Sequence, residues 1–238
     1  MDTHTEDEEM RSISMEELNE LEAETIPIPV EVITTETEDE RIQEVCAYLA
    51  QSEVLGMDTE TKPVFKKGQY NPVSLLQLSG SEHAFLFRLF TFEDRERLAP
   101  LARLLSNPEI LKVGVAIVED CQELYRDYGL VTNGILDLRT LATADHMEVQ
   151  SLSKIYALLY GKRLTKGQRL SDWQQSELTP SQVGYAGLDA YAGLKIYEAL
   201  NHLRRPEMIC NLAQVRQDSV AKKGRKRKTG GPKKNKKK

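Results

Sequence analysis

Two apolar runs in this 238-residue chain each end in acidic residues, and that arrangement sets the fold class. In Val54-Leu55-Gly56-Met57-Asp58-Thr59-Glu60 an extended strand places residues 54, 56, 58 and 60 on one face and Leu55 and Met57 on the other. Leu111-Lys112-Val113-Gly114-Val115-Ala116-Ile117 reads as a buried strand, and Asp120 follows as the pattern turns helical through Leu124 and Tyr128. Open α/β sheets bind ligands outside the carboxyl ends of their strands, so both sets of acids face such a crevice.

A third segment adds to them. Thr179-Pro180-Ser181-Gln182 is a capping box with proline at the first helical position, which predicts a helix over 180–203. On it Tyr185 and Asp189 are i and i+4, so a phenol sits one turn from a carboxylate, and Ala192 and Ile196 continue the stripe. Glycines at 184, 187 and 193 each cost about 1 kcal/mol against alanine in a helix, which points to a close approach of the backbone. Singly, each feature has a plain reading: solvated charge for the Asp-x-Glu pair, helix-dipole complementation for Glu119 and Asp120, helix–sheet packing for the glycines. Together they supply the hard oxygen ligands that phosphodiester hydrolysis with two divalent ions about 3.5–4 Å apart requires.

The rest of the pattern is α/β. Strands are expected near 30–33, 54–60, 73–78, 83–87, 111–116 and 134–137, with 79–82 as a hairpin turn. Helices are expected near 38–49, 93–105, 118–128, 139–145, 151–160 and 180–203.

Asp58-Thr59-Glu60 after an apolar strand, Gly114 followed by Asp120 at the head of a helix, and Tyr185-Ala186-Gly187-Leu188-Asp189 resemble the three motifs of the DEDD superfamily of 3′-5′ exonucleases. They are similar to its tyrosine-bearing branch, which includes ribonuclease D and the Werner-type exonuclease domain, with stand-alone bacterial members. Ser74-Leu75-Leu76-Gln77-Leu78 and Leu170-Ser171-Asp172-Trp173 support the likeness, which spans about residues 30–203. The histidine-bearing branch would carry histidine where this chain has Gly184. The resemblance implies a ribonuclease H-like exonuclease fold, a mixed central sheet flanked by helices. It implies that Asp58, Glu60 and Asp189 bind a first divalent cation, Mg²⁺ or Mn²⁺, that Asp58 bridges to a second, and that Asp120 reaches the second directly or through water. Tyr185 would orient the attacking water, since a phenol with an ordinary pKa near 10 is suited to hydrogen bonding and not to proton abstraction.

Substrate contacts are expected from Lys66 and Lys67 in the loop after the first motif, and from Lys166 and Arg169 in the basic run 162–169, where a phosphate backbone would pass. Leu76 and Gln77 resemble the residues lining the family's terminal-nucleotide pocket. Trp173, the sole tryptophan, is expected in the core and not stacked on a base.

Three regions follow from composition: an acidic head over 1–25, an exonuclease domain over 26–205, and a C-terminal extension over 206–238. The head holds ten acidic residues against one arginine and reads either as solvated chain or, through Met15, Leu18 and Leu21, as a short amphipathic helix. Residues 222–238 hold eleven Lys or Arg and no acid, so they cannot bury apolar surface and are expected to be a disordered arm for phosphate backbones or a solubilising tail. The head is expected to compete with nucleic acid for that arm.

Cys46, Cys121 and Cys210 and the four histidines have no metal-ligand spacing, and no apolar run is long enough for a membrane span. A reducing cytoplasm is expected, or a nucleus given the basic run 224–228. The expected activity is 3′-5′ exonucleolysis releasing nucleoside 5′-monophosphates, with DNA placed ahead of RNA because the 35 residues after 203 are too few for the helical domains that ribonuclease D carries. A ribonuclease D-like exoribonuclease and a catalytically weak nucleic-acid-binding scaffold are the alternatives.

Overall fold

The computed structural model describes residues 10–66, 68–148 and 151–213. The basic arm 222–238, the run 224–228, Lys67 and the first nine residues of the acidic head lie outside them.

A seven-stranded mixed sheet forms the middle layer. Its strands are β1 (Val30–Ile33), β2 (Val54–Thr61), β3 (Val73–Ser79), β4 (Ala84–Phe87), β5 (Leu111–Gly114), β6 (Ile135–Asp137) and β7 (Ile209–Cys210), in the order β1-β4-β3-β2-β5-β6-β7. β3 and β7 run antiparallel to their neighbours while β1 pairs with β4, and β2 with β5 and β5 with β6, in parallel. The carboxyl ends of β1, β4, β2, β5 and β6 therefore lie along one edge.

Among the described residues seven α-helices accompany the sheet: α1 (Met15–Glu20), α2 (Asp39–Leu49), α3 (Ala99–Ser106), α4 (Ile117–Tyr128), α5 (Leu138–Ala144), α6 (Leu152–Tyr160) and α7 (Pro180–Leu200). On one face α2, α3 and α4 bury Ile42, Leu49, Leu101, Leu105, Ile117 and Leu124 against Leu55, Met57, Leu76 and Leu78 of the strands. On the other, α5, α6 and α7 bury Leu141, Ile155, Leu188 and Ile196 against Val113 and Leu136. The two clusters are the two sides of the strands' period-2 alternation, and burial of this apolar area drives the assembly.

Thr179 and Gln182 make both bonds of the capping box that starts α7, with Pro180 at its first turn. Strand β5 stops at Gly114, short of the expected 116. A Cβ on Gly114 would sit 2.4 Å from the Met57 carbonyl oxygen, and Ala116 adopts φ 62°, a left-handed turn that opens α4. Helix 93–105 is divided into a 3₁₀ turn, Arg95–Leu98, and α3. β7, absent from the sequence expectations, is a two-residue edge strand on β6. Among the described residues no helix is long and apolar enough to cross a membrane.

Candidate active site

β2 and α7 build the centre. Gly56, Asp58 and Glu60 lie on the α7 side of the sheet, and Gly56 lets the helix backbone reach the strand: a Cβ there would lie 1.9 Å from the carbonyl oxygen of Ala190. That approach sets Asp189, the residue before Ala190, against Asp58. Carboxylate oxygens of Asp58, Glu60 and Asp189 all lie within 4.8 Å of one another. Asp120, from the first turn of α4, is outside that group, and its Oδ1 accepts a 2.6 Å hydrogen bond from Thr59 Oγ1.

Crowding and burial raise the proton affinity of every member. Burial, then Asp189, pushes Asp58 up; Asp189 is pushed up by burial and partly held down by a hydrogen bond from the Tyr185 phenol. Glu60 rises to about 9 through burial and the charges of Asp58, Asp189 and Asp120, with Arg169 opposing. Asp120 rises through burial and Asp58, against the Thr59 bond. Tyr185 is raised by burial and by Asp189, so its phenol keeps its proton at any working pH. Hard oxygen donors with excess negative charge are the donor set that Mg²⁺ or Mn²⁺ takes. A further sign is Gln77, which stands opposite Asp58 in the β2–β3 register. Both of its buried amide atoms lack a partner among the described residues. Such atoms ordinarily find one, which fits a bound group at this face.

The other expected contacts divide. Leu76 packs in the cluster with α2 and α3, whereas Leu75 and Gln77 of the same motif share the face of Asp58, because neighbouring strand residues alternate. Lys66, Lys166 and Arg169 are exposed, and Arg169 is the cation whose charge reaches Glu60. Trp173 is fully buried with Leu75, Leu86 and Ala186, its ring 6.1 Å from that of Tyr185. Of the helix glycines, Gly187 is packed tightest, against Val30 and Ile26, Gly193 lies at contact distance from Val113 and Gly114 of β5, and a Cβ on Gly184 meets nothing.

Two contributions were missed. Thr59 carries no role in the sequence expectations; its signal is a hydroxyl between two acids, on the strand face opposite theirs, and it bonds Asp120. The other is residues 23–26, which line one side of a cavity of ≈ 410 Å³ containing Tyr185; no sequence signal marks that placement.

A model of the 3′-5′ exonuclease family matches residues 31–203. The mouse bifunctional 3′-5′ exonuclease/ATP-dependent helicase WRN is 33% identical over 166 residues, covering 68% of this chain and 12% of that protein. Exonuclease 3′-5′ domain-containing protein 2 of Drosophila melanogaster is 34% identical over 170 residues, covering 70% of this chain and 28% of that protein. The chain thus spans less than a third of either relative. The crystal structure of the Aedes aegypti Nibbler EXO domain superposes with TM-score 0.66 at 24% identity, over 76% of this chain and 92% of that one, a likeness of fold.

Proposed function

Because the chain belongs to the DEDD 3′-5′ exonuclease family, we propose that it hydrolyses the terminal phosphodiester at the 3′ end of a nucleic acid and releases nucleoside 5′-monophosphates. The observation that carries this reading is the convergence of Asp58, Glu60 and Asp189 within 4.8 Å, with Tyr185 one helical turn before Asp189. A binding scaffold has no need of a cluster that crowds like charges at such cost to each.

Asp58, Glu60 and Asp189 would hold one divalent cation, with Asp58 and Asp120 turned towards a second. When bound, Mg²⁺ or Mn²⁺ would supply Lewis acidity and positive charge beside the scissile phosphate. The protein's own groups do the rest. Tyr185 donates from its phenol to Asp189 and directs its oxygen lone pair to the attacking water, which it orients without deprotonating. Thr59 holds Asp120 in one rotamer. Arg169 offsets part of the charge on Glu60 and, with Lys66, Lys67 and Lys166, offers cations to the phosphate backbone. Gln77, fully buried opposite Asp58, would lie in the floor beneath the terminal nucleotide.

We take residues 26–205 as the exonuclease unit, which the matched span 31–203 supports. DNA is the substrate placed ahead of RNA for the test. Three free cysteines fit a reducing setting, cytoplasmic or nuclear.

The test is cleavage of 5′-labelled single-stranded DNA, recessed-3′ duplex DNA and RNA with Mg²⁺, Mn²⁺ or EDTA, beside Asp58→Ala. A metal-dependent ladder shortening from the 3′ end, absent from the variant, is the expected result. Retained binding with no cleavage of any substrate would leave a scaffold.

A further inference from the structure

Residues 10–26 precede the span that matches the family, and the protein folds them back onto it. At one end Arg11 is held from three sides. Its N–H donates to His146 O at 2.8 Å, its carbonyl accepts from Glu148 N at 3.0 Å, and its guanidinium pairs with Asp145 and with the Leu158 carbonyl. Lys154 Nζ reaches the Ile13 carbonyl at 2.7 Å, and Leu18 of α1 is 3% exposed.

At the other end the segment grips the basic run. Arg163 N donates to Glu22 O at 3.0 Å, Glu24 N to Arg163 O at 2.9 Å, and Arg163 Nε to Leu21 O at 2.9 Å. Lys162 Nζ faces the carboxylates of Glu22 and Glu24 at 3.5 and 3.7 Å. Two cations of the run 162–169 are thereby occupied, while Lys166 and Arg169 stay exposed. Between Ser12 and Thr25 the segment carries five glutamates and no cation. Its end, Ala23–Ile26, walls the ≈ 410 Å³ cavity whose other sides are Gly167, Gln168, Gly184 and Tyr185. Gly167 and Gly184 have nothing within 4 Å of a Cβ position, which keeps that cavity open for a planar group.

We propose that residues 11–26 are an acidic strap that makes this site selective for unpaired 3′ ends. The inference rests on the exonuclease reading. A single strand enters with one nucleoside in the cavity beside Tyr185 and its phosphates turned to Lys166 and Arg169. A duplex carries one charge per about 1.7 Å of axis and brings a second backbone to the flank of the site. There it meets the glutamates of the strap, whose repulsion is screened only beyond a Debye length of about 10 Å at 0.1 M salt. Lys162 and Arg163, which would have countered that backbone, are already taken by the strap.

The test uses the full chain with Glu16, Glu20 and Glu22 all changed to Gln; all three are exposed, and the capping Glu17 and the Tyr156 partner Glu24 are left in place. Rates are measured on single-stranded DNA, on recessed-3′ duplex and on thymidine 5′-p-nitrophenyl phosphate, which has no second strand. The wild type is expected to degrade the single strand about tenfold or more faster than the paired end at low salt, and the variant to narrow that ratio to about threefold. The small diester should be cleaved equally by both. A ratio unchanged by the triple substitution, or a wild type indifferent to pairing, overturns the strap. Affinities for the two DNAs, measured in EDTA, give the same comparison without catalysis: a wild type that cleaves nothing refutes the exonuclease reading, and the duplex affinity of the variant still decides the strap.

Discussion

Gly56 of β2 and Ala190 of α7 touch backbone to backbone: a Cβ on Gly56 would lie 1.9 Å from the Ala190 carbonyl oxygen. No rotamer relieves that overlap, since neither partner is the end of a flexible side chain. Gly56→Ala is expected to destabilise the fold by about 3 kcal/mol and to separate Asp189 from Asp58. Gly184→Ala, on the same helix but with open space at its Cβ, should stabilise by about 1 kcal/mol. Denaturant midpoints for the two variants test the pair; equal effects would contradict the contact.

Thr59 Oγ1 and Asp120 Oδ1, 2.6 Å apart, tie the strand to α4 across the site. Thr59→Val keeps the shape and removes the donor, so Asp120 rises further in proton affinity and loses its fixed rotamer. Metal affinity should fall about tenfold or more, as for other groups that orient a ligand, and Thr59→Ser should restore it. Titration of Mn²⁺ against activity or by calorimetry reads the change.

Tyr185→Phe removes the phenol that holds Asp189 down. A positioning role predicts a fall in kcat of about a hundredfold with KM little changed. No limb is lost at high pH, because the phenol does not titrate there, whereas the acidic limb should move upward, because Asp189 loses the hydrogen bond that holds its proton affinity down. A KM effect alone would make Tyr185 a binding residue.

Stability in EDTA should depend on pH in a direction the cluster dictates. Asp58, Glu60 and Asp189 bind protons more tightly folded than unfolded, Glu60 titrating at about 9 against its ordinary 4.5. Their contribution is therefore full below about pH 4 and is lost as pH climbs towards 9. The Tm in EDTA should fall from about pH 5 to about pH 9, and saturating Mg²⁺ or Mn²⁺ should flatten the slope by replacing the protons with a cation. A Tm rising over that window in EDTA would contradict the crowding.

The residues that make the site were legible because their chemistry has short-range signatures. Asp58 and Glu60 follow from period 2, Tyr185 and Asp189 from a capped helix with i,i+4 spacing, and both local patterns recur in the structure. A motif names Leu76 and Gln77 as neighbours without saying that they occupy opposite faces of β3, which the pairing with β2 decides. Thr59 was passed over because its partner is 61 residues away.

By itself the sequence determined the alternation of strands and helices from β1 to α7 and the acids that arrive at one edge, since alternation, capping and turn chemistry act over a few residues; the mixed sheet was what the family resemblance implied, and β7 carried no signal. Tertiary structure alone decided that the oxygens of Asp58, Glu60 and Asp189 lie within 4.8 Å while Asp120 is outside that group. It also decided that Glu22 and Glu24 occupy Lys162 and that Ala23–Ile26 wall the cavity at Tyr185. The reason is physical: those placements depend on how closely α7 can approach β2 and on where a charged segment finds its partners. Both are sums over packed neighbours distant in the chain, with no local pattern to announce them.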